Sequence, residues 1–293
     1  MTGTAAGRWE RARTFHHSDY SARRIAAERE HSISVCLPAR ECAGTVQAIV
    51  VALLELRELG AIDEVLVIDA ASQDGTAEIA RAAGAGVFQE ADLLPEHGPV
   101  LGKGDAMWRA LSVAHGELVC FLDADTEAFS AHFATGLLGV LCCEDGVSFV
   151  KGFYRRPLSE GTLHDAHGGG RVNQLMARPA LAQFYPELAA VRQPLAGEVA
   201  ARRELLEELP FVTGYGVEIA MLIDAWRRVG LGALAQVDLE VHRNRHQPLS
   251  ALSPMASTVL ATIARRLSEE GRLHDVEQAA PLERPPLATL ALT

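Results

Sequence analysis

Short β-prone apolar runs, each followed by a helical stretch, dominate the first 125 residues. Residues 32–37 (SISVCL) end at Pro38, residues 64–69 (EVLVID) end in Asp69, and residues 118–122 (LVCFL) run into Asp123-Ala124-Asp125. Val87-Phe88 starts a further short strand. Such runs are too short for buried helices and are bounded by turn residues, so they read as buried strands. Between them, residues 45–59 are dense in apolar side chains at helical spacing. Asp74-Gly75-Thr76 makes a turn that caps a helix to about residue 83, and residues 103–115 read as another helix. This alternation predicts an α/β fold with a mostly parallel central sheet and helices on both faces. Ligands of such sheets bind beyond the carboxyl ends of the strands, where Asp69 and Asp123 both stand.

The second half continues with a strand over 147–154, helices near 172–183, 201–209 and 217–229, a strand over 233–241 and a helix near 255–267. Residues 1–30, rich in arginine and histidine, are expected to form a helical or partly disordered arm. Residues 31–270 form the main domain, and a tail with three prolines follows over 271–293. Charge narrows the partners: 27 Lys plus Arg against 38 Asp plus Glu leave a net charge of −11. Nonspecific nucleic-acid binding needs the opposite balance, so no nucleic-acid partner is expected. No apolar run is long enough for a membrane span and the N-terminus has no apolar leader, so no membrane and a cytoplasmic location are expected. Five cysteines without metal-type spacing read as reduced thiols.

Several constellations can carry chemistry. Asp123-Ala124-Asp125 puts two carboxylates at a strand end, a hard oxygen site suited to Mg²⁺ or Mn²⁺ bridging a diphosphate. Gly102-Lys103-Gly104 lets an ammonium approach a phosphate with little side-chain bulk around it. Gly168-Gly169-Gly170-Arg171 leads into a helix, so backbone N–H groups and a guanidinium make an anion pocket for a carboxylate or phosphate. His242 and His246 flank a basic segment near a strand end and can complete a metal shell. Gly214-Tyr215-Gly216-Val217-Glu218 is a turn feeding a helix with one early carboxylate. No G-x-G-x-x-G follows the first strand and no G-x-S-x-G occurs, which argues against a dinucleotide oxidoreductase and an α/β-hydrolase.

Taken together, LPAR (37–40), VIDAAS (67–72), GKGDAMWRAL (102–111), FLDAD (121–125), VKGFYRRPL (150–158), GGGRVNQLMARP (168–179), QPLAGEVAARRELLEELPF (193–211), GYGVE (214–218) and AQVDL (235–239) resemble the glucosyl-3-phosphoglycerate synthases. These are retaining glycosyltransferases of the GT-A fold, in glycosyltransferase family 81. The resemblance implies a nucleotide-binding half over 31–126 and an acceptor-binding half over 146–250. It implies that Pro38, Ala39, Arg40, Cys42 and Ala70 line the nucleotide pocket, and that Lys103, Asp123, Ala124 and Asp125 hold the diphosphate. Tyr215 and Glu218 fall where the donor sugar binds, and Gly170, Arg171 and Asn173 where the acceptor is gripped. Lys103, Asp125 and Glu218 are the expected catalytic residues. Asp125 and His246 are the expected ligands of Mg²⁺ or Mn²⁺, with His242 and Asn244 as alternatives to His246. A homodimer is implied as well.

The chain departs from the family pattern at Cys42, Ala70, Asn173 and, in an ungapped register, Asn244. These changes touch nucleotide, metal and acceptor together. They favour a specialised paralogue that moves a sugar from a nucleoside diphosphate to a small anionic or zwitterionic acceptor. One example is transfer of an octose from GDP to the thiol of ergothioneine in lincosamide antibiotic assembly. The alternatives are an ordinary glucosyl-3-phosphoglycerate synthase using UDP-glucose and 3-phosphoglycerate, and a non-catalytic nucleotide-binding homologue.

Overall fold

The computed structural model describes residues 4–160, 163–165, 169–243 and 248–272. In chain order it contains α1 (Ala5–Ala12), β1 (Thr14–His16), α2 (Ala22–Glu28), β2 (Ile33–Ala39), α3 (Val46–Glu58), β3 (Glu64–Asp69), α4 (Thr76–Ala83), β4 (Gly86–Gln89), α5 (Lys103–Ala110), β5 (Leu118–Phe121) and α6 (His132–Cys143). The second half adds β6 (Phe149–Arg155), a hairpin of β7 (Leu158–Glu160) and β8 (Leu163–Asp165), α7 (Arg178–Phe184), β9 (Val199–Arg202), α8 (Arg203–Glu208), α9 (Val217–Val229), β10 (Leu234–Val241) and α10 (Leu249–Glu269).

Eight strands form one sheet in the order β1-β10-β6-β9-β5-β2-β3-β4. All neighbours run parallel except β9, which lies antiparallel to both β5 and β6. The expected mostly parallel sheet is therefore present. Successive strand side chains point to opposite faces, and the sequence fills both. In β2, Val35 and Leu37 join one apolar layer and Cys36 the other; in β3, Val65 and Val67 part from Leu66 and Ile68 in the same way. The first layer takes Ile49, Val50 and Leu53 of α3 and Leu137, Leu138 and Val140 of α6. The second takes Met107 of α5, Ile219, Leu222 and Ile223 of α9, and Ile263 of α10. Each such side chain, fully buried, is worth roughly 1.5–3 kcal/mol relative to exposure, so a sheet sandwiched this way is the stable solution.

Three features differ from the sequence reading. Residues 4–28 do not stand apart as an arm: β1 is the parallel edge strand beside β10, and Trp9, Tyr20 and Ile25 are buried in the two layers. Helix α6 was not foreseen, because HFATGLLGVLCC has no polar face and two glycines. Those glycines admit the N-terminal segment: a Cβ on Gly139 would stand 2.2 Å from the Tyr20 side chain. Strand β9 overlaps the start of the helix predicted near 201–209, since four residues are too few to show alternation. All five cysteines are free thiols, as expected. No helix among the described residues is long and apolar enough to cross a membrane.

Candidate active site

A cleft of about 670 Å³ opens at the carboxyl ends of β2, β3 and β5. One wall is built from Pro38, Ala39, Arg40, Cys42, Ala70 and Glu90, where β2, β3 and β4 end. The backbone turns out into solvent there through left-handed residues, Glu41 and Ala71, each at φ 55°. A non-glycine residue holds that conformation only when its surroundings fix it. Here Glu41 N–H donates to Ser72 Oγ (2.9 Å) and Gln73 N–H to Glu41 Oε1 (2.9 Å). Cys42 N–H donates to Thr76 Oγ1 (2.8 Å), and burial pushes the Cys42 thiol up to about 11, so it stays neutral. Asp69 does not face the cleft. It is buried and accepts from Ser72 N–H and Gln89 Nε2, bracing the turn.

Lys103, the first residue of α5, extends across the cleft floor. Its Nζ lies 2.5 Å from Asp123 Oδ1 and 3.0 Å from Glu218 Oε1. Desolvation draws the ammonium down, but the two carboxylates outweigh it and hold it above its ordinary value, so it is charged. Two close approaches make this cluster possible. A Cβ on Gly104 would meet Val212 O at 2.0 Å, so only glycine lets α5 lie against the segment that carries Glu218. A Cβ on Gly197 would meet the Asp123 carboxylate at 2.4 Å. The loop before α5 is fixed from within by Arg109, only 1% exposed. Its guanidinium donates to Asp105 Oδ2, to the carbonyls of Leu93 and Leu94 and to that of Gly98.

Behind Asp123 lies a second group. Glu198, just before β9, and His242, just after β10, are each 1% exposed, with His242 Nε2 3.0 Å from Glu198 Oε1. Asp123, Glu198 and His242 each offer a ligand atom within 4.8 Å of the others. His242 stacks on Tyr154 (centroids 4.5 Å apart), and its Nε2 is 3.1 Å from Thr126 Oγ1. Desolvation pulls the imidazole down and the Glu198 carboxylate more than reverses it; in turn the imidazole holds Glu198 below the usual carboxylate range against desolvation. Asp125 opens on the cleft, with Ala124 beside it. Desolvation by the cleft walls and then the Asp123 charge raise its carboxyl, and Lys103 and His242 oppose them. Lys151, buried beneath, donates to Ala196 O and is drawn down to about 8 by desolvation, the nearby Lys103 charge adding to this against Glu218.

The far wall contains Gly169, Gly170, Arg171 and Asn173, with Tyr215 and Glu218 beside them. Asn173 is largely buried and structural: its Nδ2 donates to Arg192 O (3.3 Å), and its Oδ1 accepts from Leu195 N–H (3.4 Å). Leu252, Met255 and Val259 of α10 close the cleft on one side.

The cleft thus brings together Pro38, Ala39, Arg40, Cys42, Ala70, Lys103, Asp123, Ala124, Asp125, Gly170, Arg171, Asn173, Tyr215 and Glu218. Gly168, Asn244 and His246 lie outside the described residues. Sequence reasoning missed Glu198, Glu90 and Lys151 altogether and set His242 second to His246. His242 had a readable signal, as the first residue past an apolar strand. Glu198 had only a lone carboxylate before the run VAA.

The geometry agrees with what the chain resembles. Residues 34–178 match the profile of Glycosyl transferase family 2. The glucosyl-3-phosphoglycerate synthase of Mycolicibacterium smegmatis is 43% identical over 282 residues, 90% of this chain and 92% of that protein. The crystal structure of mannosyl-3-phosphoglycerate synthase from Rubrobacter xylanophilus is similar with a TM-score of 0.85 and 45% identity, covering 93% of this chain and 87% of that one. The glucosyl-3-phosphoglycerate synthase of Mycobacterium tuberculosis, solved with Mn²⁺, UDP-glucose and phosphoglyceric acid, gives a TM-score of 0.75 at 43% identity over 84% of this chain and 83% of that one. With this fold and this identity over most of its length, the chain belongs to the glucosyl-3-phosphoglycerate synthase family and is a nucleotide-sugar-dependent glycosyltransferase of the GT-A fold.

Proposed function

We propose that the chain transfers glucose from UDP-glucose to 3-phosphoglycerate with retention of anomeric configuration. The observation that carries this reading is the charged Lys103 on the cleft floor between Asp123 and Glu218, in a cleft that Gly170 and Arg171 line together with Pro38, Ala39, Arg40 and Cys42. The similarity to relatives that bear this activity in their names supports the substrate pair. It favours that pair over the thiol acceptor and GDP-octose expected from the substitutions. Part of that expectation assumed a metal ligand lost at Asn244, whereas His242 already occupies the corner beside Asp123 and Glu198.

The donor set fits a hard divalent cation: buried oxygen and imidazole ligands converge on one point, and Asp125 adds a carboxylate at the cleft surface. Asp123, Glu198 and His242, with Asp125 at the cleft surface, would hold Mg²⁺ or Mn²⁺, which would supply positive charge to a departing diphosphate. Lys103 adds its ammonium charge to the β-phosphate as the C1–O bond breaks. Glu218, ion-paired to Lys103, holds that ammonium in place and faces the sugar rather than attacking it. The acceptor hydroxyl enters on the face the diphosphate leaves, forms the new C1–O bond and gives its proton to a β-phosphate oxygen. Arg171 grips the anionic end of the acceptor and so turns encounter into alignment. The homodimer that the resemblance implies is checked by light scattering.

The test is turnover with UDP-glucose and 3-phosphoglycerate in Mg²⁺ or Mn²⁺, with the product mass measured and UDP release followed. UDP release that requires the acceptor supports the reading. Turnover confined to GDP-sugars and thiol acceptors would overturn it in favour of the specialised one. Nucleotide binding without turnover on any donor would leave a binding protein.

A further inference from the structure

A second cluster of metal-type ligands lies away from the cleft, on the outer edge of the sheet where β1 runs beside β10. His16 and His17 end β1 and start the turn after it, and Glu240 lies near the end of β10. Their ligand atoms all lie within 4.8 Å of one another. His17 Nε2 is 3.4 Å from Glu240 Oε1, and His16 Nε2 is 3.8 Å from the same oxygen. Tetrahedral ligands about 2.1 Å from a zinc ion sit about 3.4 Å apart, so the first pair already has that spacing and the second needs to close by a few tenths of an ångström.

Four further observations single the cluster out. His17 Nε2 is shut off from solvent and makes no hydrogen bond of ordinary geometry. His16 Nδ1 accepts the Ser18 N–H (3.3 Å) and lies 2.8 Å from Ser18 Oγ, so ligation through Nε2 exchanges the N–H contact for an Nδ1–H donated to Ser18 Oγ, the outer contact metal-bound imidazoles usually have. The ring of His132 packs on His17 (centroids 4.4 Å apart) and its Nε2 lies 3.1 Å from the carbonyl of Leu239, so it braces the His17 ring. Glu240 takes a left-handed backbone (φ 63°) where the register of β10 against β6 breaks between Asp238 and Val241. A non-glycine residue in that conformation is costly, and here it brings the carboxylate to the two histidines.

We propose that His16, His17 and Glu240 form a binding site for a borderline divalent cation of the zinc class, distinct from the cleft. Two imidazoles and one carboxylate select such a cation over Mg²⁺, which prefers all-oxygen shells. His16 and Glu240 are about half exposed, so water can take the fourth position. The site fastens the edge strand β1 to β10 two residues before His242, so its occupancy stabilises this outer edge of the sheet. This inference does not depend on the substrate reading.

The experiment uses untagged protein stripped of metal and titrated with ZnCl₂ by calorimetry. The His242→Ala variant removes an imidazole from the cleft and is expected to retain one zinc per chain. In that background, His17→Ala and the isosteric Glu240→Gln are each expected to weaken zinc binding at least tenfold and to abolish the zinc-dependent rise in Tm. X-ray absorption of the zinc-loaded His242→Ala protein is expected to show two imidazole ligands. Loss of all zinc in His242→Ala, unchanged affinity in Glu240→Gln, or fewer than two imidazoles at the metal would each overturn the proposal. If His17→Ala does not fold, the glutamine variant and the absorption spectrum still decide.

Discussion

Arg171 and Glu90 show how far single residues lining the cleft can be assigned. Arg171 stands beside Gly170 in the lining of the cleft. If its guanidinium grips an anionic acceptor, Arg171→Ala raises the KM for 3-phosphoglycerate at least tenfold and leaves the KM for UDP-glucose within about twofold, since charged hydrogen bonds contribute about 1.5–3 kcal/mol. Equal rises in both constants would remove the acceptor role. Glu90 is 1% exposed at the end of β4. Burial, with the Asp105 charge adding and Arg109 and Arg40 opposing, pushes its carboxyl up to about 7 from 4.5. Across that window the folded chain keeps a proton that the unfolded chain has released. Stability therefore falls as pH rises from the lower value to the higher one, by up to about 3 kcal/mol at 1.4 kcal/mol per unit. Glu90→Gln removes this dependence, so its Tm should exceed the wild-type value at pH 8 by several degrees more than at pH 5. An identical difference at both pH values would contradict the shift. Asp123, Asp125 and Lys103 were legible in the sequence because strand ends and glycine-flanked lysines are local signals. Glu198 and Glu90 were not, because a buried carboxylate is functional only through neighbours brought from distant segments.

At the scale of elements, α5 is the part of the scaffold on which the site turns. It begins at Lys103, and its second residue, Gly104, touches the carbonyl of Val212. Gly104→Ala forces α5 away from the segment 212–217 that leads to Glu218. Overpacking of this kind costs about 1–3 kcal/mol, so Tm should fall by several degrees. Because Lys103 moves with the helix, kcat should fall at least tenfold while the KM for acceptor changes little. A lowered Tm with unchanged kcat would show that Lys103 is positioned by its ion pairs alone. The sequence disclosed the helix 217–229, with Glu218 in its first turn and Arg227 and Arg228 in its last, and strands that are short unbroken apolar runs, such as 64–69. It hid α6, apolar on every side because it is buried on every side. It also hid β9, whose role as the one antiparallel strand comes from insertion between β5 and β6 rather than from its four residues. The N-terminal segment is helical in α1 and α2, as expected, but its docking through β1 was hidden for a related reason: a three-residue edge strand gains its stability from β10, not from its own pattern.

For the whole molecule, the cleft depends on how its last helix is held. Helix α10 contributes Leu252, Met255 and Val259 to the cleft, yet its firmest polar attachment is one turn from its far end. There Arg266, 2% exposed, makes a forked contact with Asp224 of α9: Nε lies 2.8 and 3.0 Å from the two carboxylate oxygens, and Nη2 is 2.6 Å from Oδ2. Arg227 reaches the same carboxylate at 3.0 Å and also pairs with Glu270 just past α10. Removing one partner leaves a guanidinium buried without its counter-charge, so Asp224→Ala should cost about 3–5 kcal/mol. The loosened α10 would widen the cleft, and the KM for UDP-glucose should rise although Asp224 touches no substrate. The double variant Asp224→Leu/Arg266→Met replaces the pair with apolar side chains of similar reach. Such replacements are often neutral or stabilising, so both Tm and KM should return toward the wild-type values. Recovery of Tm without recovery of KM would mean that the charges, and not the docking of α10, shape the cleft. Denaturation and initial-rate measurements on the wild type and the two variants separate these outcomes.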